Sequence, residues 1–452
     1  MNLSHIVTYN TLIQILGKIV TVVFGITTTA ILTNYLGASG FGEYIFVLSF
    51  VAIFSSVADW GTALIAVREA ARQEKNESQI FSNVLILRLV LSLLATLISW
   101  LVIFLFPGFA HNGEPLKRLV ILASFLILFF SLKNSLWIIF QTKLKLDKVV
   151  LLDFIASALT LFFSFFVVSF GGTLVFLIWA VILANILAVL VGFGQIFSLT
   201  SLKFSLSFPV LRKLSLEALP MGGILILFSV YNRIDALILQ AIKGSTAVGV
   251  YGLAYRIYEV LVLGAFYLMN SLLPILAREK DKNKLCQVYQ RAFDLLVLAG
   301  IFVILATFIL APLAIKLVAW GRFPEFFTSI SLLRILSLAV LASFLNHLTG
   351  YLLIVLGKQR RYFFIAVAAL IFNFSLNLFF IPSYSYYAAA WITFLTETLV
   401  FYLTSFLIAQ TLKFRPSFFS FPKTALDLLK NRQLFLKPQS LTNKGKQEII
   451  RR

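Results

Sequence analysis

The chain has 452 residues, of which 60% are hydrophobic and 12% are charged, and its formal net charge is +20. Soluble globular chains are about 45–50% apolar and about 25% charged, so too few polar side chains remain here to cover a surface facing water. One cysteine excludes an internal disulfide, and three scattered histidines predict no metal site. The composition predicts an integral membrane protein whose positive charge marks loops beside the membrane, and it predicts no nucleic-acid partner.

Twelve apolar segments are long enough to cross a bilayer as helices, which takes about 20 mostly apolar residues. The predicted fold class is therefore all-α integral membrane, with twelve transmembrane helices. In chain order the predicted spans are 10–33, 41–67, 84–106, 119–140, 149–170, 173–197, 216–242, 247–275, 289–315, 330–356, 362–381 and 386–410.

Lysine and arginine are unevenly distributed between the loops. The loops after the even-numbered spans, counted together with Arg291 at the start of the ninth span, hold 17 of these residues, whereas the opposite loops hold 5. Cytoplasmic loops carry the excess of positive charge, so this alternation predicts cytoplasmic N- and C-termini in a multi-pass protein of the cell (inner) membrane. Residues 411–452 add ten more basic residues. They are predicted to form a cytoplasmic tail, either as a helix on the anionic leaflet or as a disordered end.

A short repeat relates the two halves of the chain. Gly42 and Gly249 correspond at an offset of 207 residues, and Tyr44 and Tyr251 keep the same offset. Each half holds an even number of spans, so the halves share one orientation and are related by a pseudo-two-fold axis along the membrane normal. We predict a six-helix bundle at 1–200, a cytoplasmic linker at 201–215, a second six-helix bundle at 216–410 and the tail at 411–452.

Several motifs also resemble those of a known family. They are residues 10–18, 32–37, 40–44 and 58–61 in the first half and residues 218–220, 233–235 and 248–256 in the second. Through them the chain resembles the polysaccharide-biosynthesis oligosaccharide flippases of the MATE-like superfamily, which include O-antigen-unit and lipid II flippases. The resemblance extends over nearly the whole chain, up to about Gln410.

The resemblance implies two six-helix bundles in a V around a cavity that opens to one side at a time. It also implies that the protein moves an undecaprenyl-diphosphate-linked glycan from the inner to the outer leaflet for cell-surface polysaccharide assembly. The expected partners are then this polyprenyl-diphosphate-linked glycan and the surrounding membrane lipid. A polysaccharide polymerase and glycosyltransferases are further candidate partners.

Ionisable side chains at membrane depth cost at least about 2.5–3.5 kcal/mol on insertion scales, so they are candidate functional residues. Lys18 lies near the centre of the first span on a polar stripe with Gln14 and Thr21. We predict that Lys18, Arg233 and Arg256 bind the diphosphate headgroup, because arginine donates paired hydrogen bonds to phosphate oxygens.

The acidic candidates are predicted to pair with these charges or to bind a coupling cation; they are Asp59, Asp235 and Glu259. Structural interpretations remain open beside the functional ones. Asp59 pairs with Lys18 in one of them, and Asp235 clasps Arg256 in another. Glu259 is three residues from Arg256, close enough to pair along a helix.

Other ionisable residues are predicted to snorkel to the interface from positions nearer the span ends. They are Arg88, Lys133, Asp153, Asp294 and Arg334. A stripe of tyrosines at 251, 255 and 258 has two interpretations, as a platform for sugar rings or as packing and lipid-interface material.

No phosphate-cradling Walker motif and no Ser/His/Asp arrangement is found, so we predict a secondary transporter that is not an enzyme and has no cofactor. One alternative is a cation-coupled drug or metabolite exporter of the same fold, although the central candidates here lean basic and cationic drugs require acids. Another is a membrane-embedded polysaccharide polymerase or glycosyltransferase. Such an enzyme needs a large extramembrane loop, and the longest internal loops here have only about 15–20 residues.

Overall fold

The computed structural model describes residues 3–72, 77–106, 114–199, 205–279 and 281–422, and these ranges are helical with short connections. Ten of the helices in these ranges are long and apolar enough to cross a membrane. The helices are α1 Leu3–Asp59, α2 Thr62–Arg72, α3 Glu77–Leu105, α4 Glu114–Thr142, α5 Leu146–Ser169, α6 Leu174–Leu199, α7 Phe208–Tyr231, α8 Ile234–Lys243, α9 Ser245–Arg278, α10 Lys282–Val318, α11 Ser329–Val355 and α12 Gln359–Leu412. The all-α prediction is confirmed, and each of the twelve predicted spans overlaps one of the ten helices.

Two of the ten helices each contain two spans. α1 turns at Gly37, where φ is 66° and ψ is −174°, and α12 turns at Ser385, where φ is 52° and ψ is −136°. In each helix only this one residue has a non-helical conformation, and the residues on both sides of it remain helical. The two predicted loops at these positions are therefore single-residue corners.

Two predicted spans are wrong in their continuity. The span 41–67 ends at Asp59, because Trp60 and Gly61 adopt positive φ, and the amphipathic helix α2 follows. The span 216–242 is broken at Asn232 and Arg233, between α7 and α8. Hydropathy detects neither break, because apolar residues flank both.

The predicted repeat is confirmed at atomic detail. Gly37 and Gly244, which also differ by 207 residues, share the same corner geometry, with φ of 66° and 79° and ψ of −174° and −179°. A methyl group on Gly42 would overlap the carbonyl oxygen of Ser245, and one on Gly249 would overlap that of Ala38. Ala38 and Ser245 are themselves repeat partners, so the contact is reciprocal and the pseudo-two-fold axis passes between the two glycines.

A second correspondence relates the turn between α4 and α5 to the turn between α11 and α12, at an offset of 213 residues. Leu144 and Gly357 both have positive φ, 54° and 68°. The amide of Lys145 bonds the carbonyl of Phe140 at 2.8 Å, and the amide of Lys358 bonds that of Leu353 at 2.9 Å. This is the helix-ending pattern in which a left-handed residue satisfies the last carbonyls.

At the end of the bundle that carries Gly37 and Gly244, here called the corner end, α1 contacts the end of α10 and the 3-10 segment Trp320–Phe326. The Asn34 amide donates to the Val318 carbonyl at 2.9 Å and accepts from the Gly321 amide at 2.6 Å. The Ala38 amide donates to Glu325 at 2.7 Å, and this hydrogen bond lowers the pKa of Glu325.

The opposite end, here called the ion-pair end, joins α2 to the start of α7. Arg68 pairs with Glu217, and Lys213 pairs with Glu69 at 2.8 Å. The hydrogen bond from Lys213 is the main cause that lowers the pKa of Glu69. The 22 residues of α1 after Gly37 separate the two ends by about 33 Å, at 1.5 Å per residue.

The predicted linker overlaps a helix. Residues 208–215, assigned to the linker, form the first two turns of α7. At the C-terminal side α12 ends at Leu412, and most of the predicted basic tail lies outside the described residues.

Candidate functional site

A cavity of about 550 Å³ lies where α1, α4, α5 and α6 of the first half face α9 and the α7–α8 break of the second. Five of the six predicted site residues line it: Lys18, Arg233, Asp235, Arg256 and Glu259. Residues from the predicted spans 1, 7 and 8 therefore line one cavity, as a shared binding site requires. Asp59 lies elsewhere, in a smaller second cavity.

Lys18 enters the cavity from α1. Thr21 and Gly25 line the same wall, one and two turns further along the helix. Gly25 has only hydrogen on this face, which leaves room for the Arg256 guanidinium 3.8 Å from where a Cβ would stand. Within the described part of the chain, the Lys18 ammonium makes no ion pair, so its charge faces the cavity.

Arg233 reaches the cavity because the helix breaks beside it. Its φ of −128° is non-helical, and it precedes the first turn of α8. The break frees the carbonyl of Asn232, which accepts a hydrogen bond from the Tyr255 hydroxyl at 2.8 Å. The guanidinium carbon of Arg233 lies 5.9 Å from the centre of the Tyr255 ring, within range of a cation–π contact.

Glu259 serves two arginines. It pairs with Arg233 across the break and with Arg256 at 3.2 Å, so the contact predicted along the helix is present. One carboxylate offsets at most one of the two positive charges. The Arg256 side chain remains 47% exposed, so its guanidinium can still accept an anion.

Asp235 is buried and faces neutral donors. It accepts hydrogen bonds from the Tyr251 hydroxyl and from the Ala236 amide at 2.7 Å, so the predicted clasp with Arg256 is not formed. Tyr251, Tyr255 and Tyr258 are buried as well, with ring centres about 5.5 Å apart along α9. The Tyr251 hydroxyl bonds Asp235 and the Tyr255 hydroxyl bonds the carbonyl of Asn232 at the α7–α8 break, which favours the packing interpretation of the tyrosine stripe.

Asp59 pairs with Arg88 and not with Lys18. Arg88 also donates to the Thr62 hydroxyl at 2.7 Å and is only 1% exposed, so the prediction that it snorkels is wrong. A buried arginine needs a carboxylate partner, and the end of α1 supplies one.

Lys133 is the cavity residue that the sequence interpretation misassigned. Its ammonium pairs with Asp153 at 3.1 Å and lines both cavities. The available signal was its depth, since it lies seven residues, or about 10 Å of helix, inside the predicted span 119–140.

Four cationic side chains therefore line the main cavity against two acidic ones. Asp235 is hydrogen-bonded to neutral groups, and Glu259 is shared between two arginines. The balance is positive and the donors are arginine and lysine, which suits a multiply charged oxyanion such as phosphate. Within the described residues, no group of three or more His, Cys, Asp or Glu side chains could hold a metal ion.

A second buried polar cluster lies away from the cavity in the second half. Glu397 accepts hydrogen bonds from the Tyr231 hydroxyl at 3.0 Å and from the Asn346 amide at 2.7 Å. Tyr231 is the last residue of α7, so this cluster anchors the helix immediately before the break that carries Arg233.

Comparison with known proteins agrees with this architecture. The model of a family described as polysaccharide biosynthesis protein matches residues 7–280, and that of the MatE family matches residues 220–379. Among curated proteins, none matches the chain.

Solved structures share the fold at low sequence identity. An inward-facing multidrug resistance MATE family transporter of the MOP superfamily superposes with a TM-score of 0.73 at 15% identity, covering 90% of this chain and 96% of that one. The lipid II flippase MurJ, in an inward closed conformation, gives 0.73 at 16% identity, covering 97% and 96%. A MOP superfamily transporter from Pyrococcus furiosus, described as having a binding pocket of reverse polarity, gives 0.59 at 17% identity, covering 91% and 95%. The predicted fold of two six-helix bundles is thereby confirmed.

Proposed function

We propose that this chain, which belongs to the polysaccharide biosynthesis protein family, moves a polyprenyl-diphosphate-linked oligosaccharide from the inner to the outer leaflet of the cell membrane. The observation that carries the proposal is the positive cavity between the two halves. Lys18, which makes no ion pair among the described residues, and the half-exposed Arg256 line it from α1 and α9. A diphosphate supplies the opposite charge and accepts hydrogen bonds from both.

The orientation of the protein in the membrane is inferred from the distribution of charge in the loops. With the basic loops in the cytoplasm, the ion-pair end faces inward and the corner end faces outward. The cavity lining runs along α1 from Lys18 to Leu32, and beyond it the two halves are in backbone contact at Gly42 and Gly249. The conformation described is then one that is sealed from the outside.

A cation-coupled exporter is the second candidate, and the cavity does not favour it. An exporter of cationic compounds needs carboxylates that face its substrate, whereas Asp235 is buried and bonded to Tyr251. Because lipid-linked glycans are built by other membrane-bound enzymes, a polysaccharide polymerase and glycosyltransferases are the expected functional partners.

Flipping of a fluorescent undecaprenyl-diphosphate-linked glycan in proteoliposomes tests the proposal. Lys18→Gln and Arg256→Ala should each lower the initial rate by at least about tenfold, because a charge-assisted hydrogen bond contributes about 1.5–3 kcal/mol. Arg256→Lys should retain an intermediate rate, since lysine keeps the charge but lacks the bidentate fork.

Lys243→Gln is the matched control, because Lys243 is exposed at the end of α8. It should leave the rate unchanged. Wild-type rates in both Lys18→Gln and Arg256→Ala, in protein that inserts normally, would overturn the proposal.

A further inference from the structure

A second cavity of about 240 Å³ adjoins the cationic cavity in the first half. The two share Lys133, whose ammonium lies between them. The second cavity is further lined by Asn134 and Trp137, which follow Lys133 on α4, by Asp153 from α5 and by Asp59 at the end of α1. An aromatic ring, an amide and two carboxylates thus surround a space less than half the size of the main cavity.

The charges in this second cavity are already balanced. Asp59 pairs with Arg88, and Asp153 pairs with Lys133, each through a single carboxylate oxygen. Among the described residues, the other oxygen of each carboxylate and the amide of Asn134 have no hydrogen-bond partner. Because Arg88 and Lys133 neutralise the two carboxylates, neither a metal cation nor an anion finds an uncompensated opposite charge in this cavity. The free carboxylate oxygens can accept hydrogen bonds from an uncharged polar molecule, and the Asn134 amide can donate one to it.

We propose that the second cavity binds an uncharged sugar residue, the one attached directly to the diphosphate that the cationic cavity holds. A sugar ring presents hydroxyl groups at its edge, which the carboxylates and the amide can bond, and an apolar C–H face, which can pack on the indole of Trp137. This proposal rests on the proposed function, because the phosphate in the first cavity places the sugar in the second. Lys133 then lies at the junction between phosphate and sugar.

The test measures binding of three probes to the purified protein in nanodiscs. The probes are undecaprenyl diphosphate, the same lipid carrying N-acetylglucosamine, and the same lipid carrying glucuronic acid. Trp137→Leu removes the aromatic face while keeping apolar volume against the neighbouring residues of α2. It should weaken binding of the N-acetylglucosamine lipid about tenfold and leave binding of the bare diphosphate unchanged.

Three further variants separate the causes. Trp137→Phe should retain most of the affinity, because it keeps an aromatic face. Asn134→Ala, at an exposed position that folding tolerates, should show the same selective loss as Trp137→Leu and carries the test if that variant fails to fold. Trp391→Leu, at a 45% exposed tryptophan of α12 that lines neither cavity, should change nothing.

The outcomes distinguish this inference from the function on which it rests. Lys18→Gln should weaken all three probes, and the glucuronic acid lipid should bind wild type more weakly than the N-acetylglucosamine lipid. The sugar site is refuted if Trp137→Leu and Asn134→Ala weaken binding of the bare diphosphate as much as binding of the glycan lipid. It is also refuted if they weaken binding of neither probe. In both cases the proposed function stands. If wild type binds none of the probes, both fall.

Discussion

At the corner end, Gly42 and Gly249 bring two backbones into contact, whereas at the ion-pair end α2 and α7 meet through Arg68, Glu217, Lys213 and Glu69. Close contact between two backbones does not change with salt or pH. Arg68 and Lys213 are about half exposed, and ion pairs at a surface are screened by salt and contribute only about 0.2–1 kcal/mol each. The two halves are therefore held at one end by a contact that salt and pH do not weaken, and at the other end by contacts that salt and pH can weaken.

The largest expected effect comes from filling the glycine contact. Gly42→Ala or Gly249→Ala should force the corner end apart at a cost of about 1–3 kcal/mol, the usual cost of overpacking. By the repeat symmetry the two variants should have nearly equal effects, a 5–150-fold shift in the population of the closed state.

Spin labels at Ser39 and Thr246, in a protein whose single Cys286 is replaced by serine, would report the distance across the corner end. Both label positions are exposed and are repeat partners. Gly194→Ala is the control, because a Cβ there meets nothing within 4 Å. An unchanged distance distribution in Gly42→Ala would show that this contact does not set the closure.

A smaller effect is expected from the repeated turns that lie on the same side as the ion-pair end. The corner end has glycine in both repeats, but these turns have Gly357 in one half and Leu144 in the other, both with positive φ. A left-handed conformation costs a non-glycine residue about 1–2 kcal/mol. Leu144→Gly should therefore raise the thermal unfolding temperature slightly and Gly357→Ala should lower it.

Thermal unfolding in detergent, followed by light scattering or intrinsic fluorescence, is sufficient for this measurement. The double variant should fall near wild type, because the two turns are distant and their effects should add. A drop in stability for Leu144→Gly would mean that the leucine side chain contributes more than its backbone conformation costs.

The smallest effect is expected from acid at the ion-pair end. The pKa of Glu69 is lowered from its ordinary value of 4.5, chiefly by its hydrogen bond from Lys213. Its contribution is therefore complete above about pH 4.5 and is lost as the pH falls through the lowered pKa. Labels on α2 and α7 should separate on acidification, and Glu69→Gln should show the separated distance already at neutral pH.

Glu217→Gln gives the comparison within the same end, because it leaves the Lys213–Glu69 pair intact and so should keep most of the acid response. If the distance between α2 and α7 is independent of pH in wild type, the Lys213–Glu69 pair does not hold this end together.

The helical fold could be predicted from the sequence because burial in lipid leaves a strong signal in each span. The cluster of Gly37, Gly40 and Gly42 in the sequence indicated a turn at this corner. The conformations at the Ser385 corner and at the Arg233 break could not be predicted, because a single residue in an unusual conformation does not change the hydropathy of a span. The signal available near Trp60 was Gly61, since glycine is common just past a helix end, but the apolar residues on both sides favoured a continuing membrane helix.

The sequence predicted which residues line the candidate site, but not which of them form ion pairs with one another. Lys18, Arg233 and Arg256 stood out because charge is rare at membrane depth. Which acid each one meets depends on helix rotation, so Lys18 was one of the partners considered for Asp59, whereas the structure pairs Asp59 with Arg88. Lys133 was set aside because a long side chain near a span end can snorkel. Only the packing of α4 against α5 shows that it faces the cavity instead.

The reciprocal contact of Gly42 and Gly249 has the geometry of an isologous dimer, in which each subunit presents the same patch to its copy. An unfused six-helix unit would bury this patch by pairing with a second copy of itself. Such a pair must have an identical wall on both sides of its axis. Fusion of two copies into one chain removes that constraint, because each half then keeps its partner whatever its own sequence becomes. The present cavity is asymmetric, with a lysine that is unpaired among the described residues on one wall and arginines that share a carboxylate on the other, and two identical copies of one unit could not form it.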